Sequence, residues 1–127
     1  MKILVVDDEV EVVNFLKVFL GRMGIEAVEA TCGLDAIEAY ARVNPDWVFL
    51  DIKMPDMNGL QVLRKLKESN NTVKAIMITG SSDEVLENEA KELGVRDYLV
   101  KPIDLTELRL KIRTYILEES KQGASSV

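Results

Sequence analysis

The chain has 127 residues, 47% of them hydrophobic, and a net charge of −6 from 16 Lys plus Arg against 22 Asp plus Glu. That length suits one domain with a sizeable core, and the acidic balance gives no general attraction for nucleic-acid phosphates or anionic membranes. The absence of histidine and the single cysteine, Cys32, exclude imidazole general-base chemistry, His-containing zinc sites and an internal disulfide, and point to a reducing, cytoplasmic setting.

Ile3-Leu4-Val5-Val6 reads as a strand buried on both faces and stops at Asp7-Asp8. From about Glu9 the period turns helical, with Val12, Phe15, Leu16, Phe19, Leu20 and Met23 predicted inward and Gly24 as a left-handed stop. Ile25 to Ala30 is a weaker strand whose Glu26 and Glu29 suit a sheet edge. A helix follows over Leu34 to Val43, with Ile37, Tyr40 and Ala41 inward, ended by Asn44-Pro45. Trp47 to Leu50 is a buried strand cut off by Asp51, and the turn-rich Lys53 to Gly59 leads into a helix over Leu60 to Glu68. Lys74 to Ile78 is the fourth strand, ending at Thr79-Gly80. Ser81 with Glu84 has capping-box spacing for a helix through Leu86, Ala90 and Leu93, closed by Gly94. Asp97 to Val100 is the fifth strand, ending at Lys101-Pro102, and Asp104 with Glu107 opens a last helix to about Glu118. Its core stripe is Leu105, Leu108 and Ile112, while Leu110 and Leu117 lie opposite, as a dimer or partner surface or as cover for neighbouring core edges. Cys32 and Trp47 read as packing residues, and the methionines as gap-fillers.

Strands alternating with helices imply a parallel sheet covered on both faces. Right-handed crossovers leave two close topologies, a flavodoxin-like open sheet ordered 2-1-3-4-5 and a Rossmann-type half. The expected domain covers residues 1–120, with 121–127 as a polar tail. Apolar runs of about four residues fall far short of the ~20 needed for a membrane span. No signal peptide is expected either, because Met1-Lys2 leads straight into the first strand.

Ligands of open parallel sheets bind outside the carboxyl ends of the strands, where this sequence places Asp7, Asp8, Asp51, Thr79 and Lys101. Adjacent strands lie about 5 Å apart, which brings the three carboxylates together. At ~4 Å and an effective dielectric near 20, each like-charge pair costs on the order of 4 kcal/mol. A divalent cation reverses that sign, and an all-oxygen donor set points to Mg²⁺, with Mn²⁺ or Ca²⁺ next. Lys101 and the Thr79 hydroxyl add a positive charge and a donor, so the group suits a phosphoryl group carried on a carboxylate. Taken singly, Asp8 is as well explained as a helix cap, Lys101 as a solvated loop lysine and Thr79 as a turn residue. Their convergence on one sheet edge favours the site. No G-x-G-x-x-G or G-x-x-x-x-G-K-[ST] motif is present to cradle a nucleotide.

The segments ILVVDDE, FLDIKMPDMNG, MITG and DYLVKP, in this order and spacing, resemble the receiver domain of two-component response regulators over nearly the whole chain, to about Glu118. The resemblance implies the flavodoxin-like order 2-1-3-4-5, with Asp51 as phosphoacceptor. Asp7, Asp8, Asp51 and the Lys53 carbonyl would hold Mg²⁺, and Lys101 would bond a phosphoryl oxygen. Pro102 matches a proline often preceded by a cis bond. Thr79 and Tyr98 match a switch pair that reshapes the surface of the fourth helix, fifth strand and fifth helix. Lys53 and Ser81 stand where they would modulate the lifetime of the phosphorylated state, although Lys53 equally suits a solvated lysine that matters only through its carbonyl. The implied partners are a sensor histidine kinase or histidine phosphotransfer protein and a downstream target or second copy, with no direct nucleic-acid or membrane contact. The chain would be a stand-alone regulator or the receiver of a longer protein, and not an enzyme turning over a free substrate. Two other classes are a passive interaction module and a Mg²⁺-dependent phosphatase. The intact acids, threonine and lysine disfavour the first, and Lys53, where such phosphatases commonly carry a second acid, disfavours the other.

Overall fold

A computed structural model describes residues 1–80 and 84–117. Five strands, β1 (Lys2–Val6), β2 (Glu26–Ala30), β3 (Trp47–Asp51), β4 (Ala75–Thr79) and β5 (Asp97–Val100), form one parallel sheet in the order β2-β1-β3-β4-β5. Five helices alternate with them: α1 (Val10–Arg22), α2 (Gly33–Val43), α3 (Gly59–Ser69), α4 (Glu84–Glu92) and α5 (Leu105–Lys111), the last running on as a π-helix over Ile112–Leu117. Side chains alternate across the pleat. Leu4, Val6, Val48, Leu50 and Met77 pack with α2, α3 and α4, whereas Ile3, Val5, Phe49, Ile76 and Ile78 pack with α1 and α5. Residues 3–6, 47–50 and 75–78 are therefore apolar without a break, and the charged β2 takes an edge.

Helix ends follow the expected chemistry where the signal is local. Gly24 and Gly94 adopt positive φ after α1 and α4, and Asn44 does so after α2. Asp104 Oδ1 accepts the Glu107 N–H at 3.0 Å to cap α5. An Asn58–Gln61 capping box opens α3 one residue earlier than the sequence pattern indicated. The Ser81 cap lies outside the described residues, as do the tail at 121–127 and the residues from 118 onward.

Helix orientation is where the structure corrects the sequence. The buried line of α1 is Val13, Leu16 and Leu20, while Phe15 is 37% exposed and Val12, Phe19 and Met23 only border the core. Apolar residues occupy most of that helix's circumference, so period alone could not find the centre of the stripe. In α2 the inward residues are Ala36, Ala39 and Tyr40, and Ala41 faces out. Leu105 is exposed too, the α5 line being Leu108, Ile112 and Ile116. Leu110 is 63% exposed, as a partner surface requires, but Leu117 packs partly against the core and does not extend that patch. Trp47 is buried at the start of β3, with Lys74 and Arg96 stacked on its ring.

One cap is non-local. Cys32, at the N-cap of α2, makes no side-chain cap bond. Asp56, from the loop after β3, supplies it by accepting the N–H groups of Gly33 at 2.9 Å and Leu34 at 3.1 Å. These bonds hold its carboxyl below the ordinary value of 3.8. Asp56→Ala is therefore expected to lower Tm at neutral pH. The contribution is present above the ordinary carboxyl value and is lost as pH falls through the depressed one, so the Tm gap should narrow in acid.

Candidate functional site

Parallel register sets the positions of the polar strand tips. Val6 pairs with Leu50, so Asp7 and Asp51 sit level on adjacent strands. Thr79 lies one step beyond the Asp51–Ile78 pair, and Lys101 one step beyond the Thr79–Val100 pair. Asp7 is fully buried, Asp51 and Thr79 are each 2% exposed, and Asp8 is exposed. One carboxylate oxygen from each of Asp7, Asp8 and Asp51 lies within 4.8 Å of the others. Asp8 is not the helix cap, because the N-cap of α1 is Glu9.

The Lys101 ammonium bridges the group from the fifth strand. Its Nζ stands 2.9 Å from Asp7 Oδ2, 3.5 Å from Asp51 Oδ2 and 2.7 Å from Glu9 Oε1. Burial alone would favour the neutral amine, but Glu9, Asp7 and Asp51 outweigh it and raise the Lys101 pKa. For Asp51 the balance goes the other way. Burial, then the charge of Asp7, push its pKa from 3.8 to about 7 against the pull of Lys101 and the Lys53 backbone N–H. Asp7 Oδ1 accepts the Glu9 N–H at 2.9 Å. Its buried Oδ2 touches the ammonium without an aligned hydrogen bond. A buried acceptor without a directed donor, facing two more carboxylates, is a donor set suited to a hard divalent cation such as Mg²⁺.

Local sequence shapes the rim. Gly59 N–H donates to the Ile52 carbonyl at 2.7 Å, and a Cβ at this position would overlap the carbonyl oxygen of Asp51. Gly59→Ala must displace α3 or the end of β3, at a cost of about 1–3 kcal/mol, measurable by urea unfolding. The Lys101–Pro102 peptide is cis, as the resemblance implied. The Lys101 N–H donates to the Thr79 carbonyl at 2.8 Å. Tyr98, half-buried on β5, donates its hydroxyl to the Glu87 carbonyl at 2.7 Å, tying β5 to α4. Lys53 is exposed, and Ser81 lies outside the described residues.

Glu9 is the site residue that sequence reasoning did not single out. Its contact with Lys101 spans 92 positions, and no periodicity encodes it. Beside the acids an open cleft of about 560 Å³ is lined by Glu9, Val12, Phe15, Gly80, Pro102 and Ile103, among others. Among the described residues, no helix is long and apolar enough to cross a membrane.

Comparison with known proteins matches residues 3–113 to the response regulator receiver domain family. Sporulation initiation phosphotransferase F of Bacillus subtilis is 31% identical over 115 residues, covering 91% of this chain and 93% of that protein. Several regulatory proteins match over only 24% to 52% of their own length. Among solved structures, a CheY-like receiver domain protein from Methanospirillum hungatei superposes with a TM-score of 0.88 at 27% identity, covering 95% of this chain and 97% of that one. The CheX–CheY complex with BeF3 and Mg²⁺ from Borrelia burgdorferi gives a TM-score of 0.82 at 30% identity, covering 88% and 86%.

Proposed function

The chain belongs to the response regulator receiver domain family of two-component signalling, and from that premise we propose that it is a Mg²⁺-dependent switch phosphorylated on Asp51. The observation that supports this most is the placement of Asp51, 2% exposed, level with Asp7 and 3.5 Å from Lys101. Asp7, Asp8, Asp51 and the Lys53 backbone carbonyl would hold Mg²⁺. The bound ion supplies positive charge to the phosphoryl oxygens.

The donor is a phosphohistidine on a sensor kinase or phosphotransfer protein, since this chain has no histidine. An Asp51 carboxylate oxygen attacks phosphorus. The new P–O bond forms as the P–N bond to the partner's imidazole breaks, and the imidazole leaves with that electron pair and takes a proton from water. Lys101 then shares the charge of the acyl phosphate, and the Thr79 hydroxyl donates to one of its oxygens. Tyr98, already bonded to α4, transmits the change to the face formed by α4, β5 and α5. On that face Val100 and Leu110 are exposed for a downstream target or a second copy. Lys53 and Ser81, two positions after Asp51 and two after Thr79 in the sequence, modulate the lifetime of the phosphorylated state. The protein modifies itself and turns over no free substrate.

Intact-mass measurement with acetyl phosphate tests the proposal. A phosphoryl adduct is expected with Mg²⁺ and none after chelation. No adduct in either condition points to a passive module, and multiple turnover of a free phosphomonoester points to a phosphatase.

A further inference from the structure

We propose that Glu9 is a positioning residue that competes with the Asp51 phosphoryl group for Lys101 and thereby weakens the phosphorylated state. This rests on the receiver assignment and names a regulator of that same site.

Glu9 occupies the N-cap of α1 with extended backbone (φ −87°), yet its side chain makes no cap bond to that helix. It reaches across the sheet edge instead, placing Oε1 2.7 Å from Lys101 Nζ, the shortest of that ammonium's three carboxylate contacts among the described residues. The backbone of Glu9 is fixed meanwhile by its N–H bond to Asp7 Oδ1. The lysine is thus held nearest to the one acid outside the metal-suited trio and farthest from the acceptor, Asp51. An ammonium has three donors on one point charge. Moving it onto a phosphoryl oxygen at Asp51 stretches or breaks the Glu9 contact, and that loss is subtracted from the stability of the phosphorylated form.

Charge and contact can be separated. Glu9→Gln removes the charge. Glu9→Asp keeps it, but the side chain is one methylene shorter and turns to the free N–H groups of the first helical turn, where aspartate is a favoured cap. Neither substitution disturbs the core, as the Glu9 side chain is 60% exposed.

Calorimetric titration of the wild-type chain and both variants with beryllofluoride in saturating Mg²⁺ measures the competition without turnover. Tighter binding by both variants, roughly three- to fivefold for an exposed ion pair, is the expected result, together with a longer-lived phosphoryl adduct. Tightening by Glu9→Gln alone would reveal only the field of a nearby charge and overturn the positioning role. So would affinities equal to wild type in both variants, while leaving the receiver assignment intact. A wild-type chain that bound no beryllofluoride would remove the phosphoacceptor role proposed for Asp51, and the role of Glu9 with it.

Discussion

Replacing Asp51 with asparagine is expected to abolish phosphoryl acceptance while making the metal-free fold more stable. The amide cannot form the acyl phosphate, so no adduct should appear with any donor. The stability gain comes from the same burial that prepares the carboxylate. Asp51 is held at a pKa of about 7 from an ordinary 3.8 because its charge is buried beside that of Asp7. That displacement corresponds to at most ~4 kcal/mol of penalty on the ionised form. The pull of Lys101 is already contained in that value, but the buried amide must still be hydrogen-bonded, so the net gain should be nearer about 2 kcal/mol. Denaturant unfolding in chelator at pH 8 measures it. A variant less stable than wild type would mean that Lys101 already compensates Asp51 fully.

The second large effect is a stability profile that runs opposite to ordinary acid denaturation. Between about pH 7 and the ordinary carboxyl value of 3.8, folded Asp51 keeps a proton that the unfolded chain releases. Metal-free protein should therefore gain stability as pH falls from 8 toward 5, and Asp51→Asn should be flat over that window. The bonded carboxyls of Asp56 and Asp97 are depressed instead. Their contributions persist through this window and disappear only in stronger acid. Mg²⁺ should invert the profile, since at the proposed site it would bind the ionised cluster of the folded state alone. At a hundredfold excess over Kd it adds about 2.7 kcal/mol, and protons compete with it as pH falls. Thermal unfolding across pH, with Mg²⁺ and with chelator, checks both limbs.

What the sequence made legible follows from how local each signal is. β5 could be bounded to the residue, Asp97 to Val100, because a short apolar run between polar residues fixes both ends. The polar tips of the strands were legible as a set because a parallel sheet collects them at one edge whatever the helices do. The facing of α1 was not, since seven apolar side chains between Val12 and Leu20 leave period ambiguous, and only packing against Ile3, Val5 and Phe49 selects Val13, Leu16 and Leu20. Asp56 on α2 and Glu9 on Lys101 join residues 22 or more positions apart through single hydrogen-bonded side chains. Such contacts leave no periodic trace, and they become visible only once the chain is folded. Gly59 stands between these cases. Its place after Asn58 marks a helix start, but the overlap that excludes a Cβ comes from the Asp51 carbonyl on the neighbouring strand.

Calorimetric titration of Mg²⁺ into the phosphate-free chain and into Asp7→Asn tests most directly whether a cation unites the acids at the sheet edge. One site should saturate in the wild-type chain, and affinity should fall at least about tenfold, on the order of 1.4 kcal/mol, once the buried Asp7 loses its charge. Absence of binding heat in the wild-type chain, or equal affinity in the variant, would contradict it.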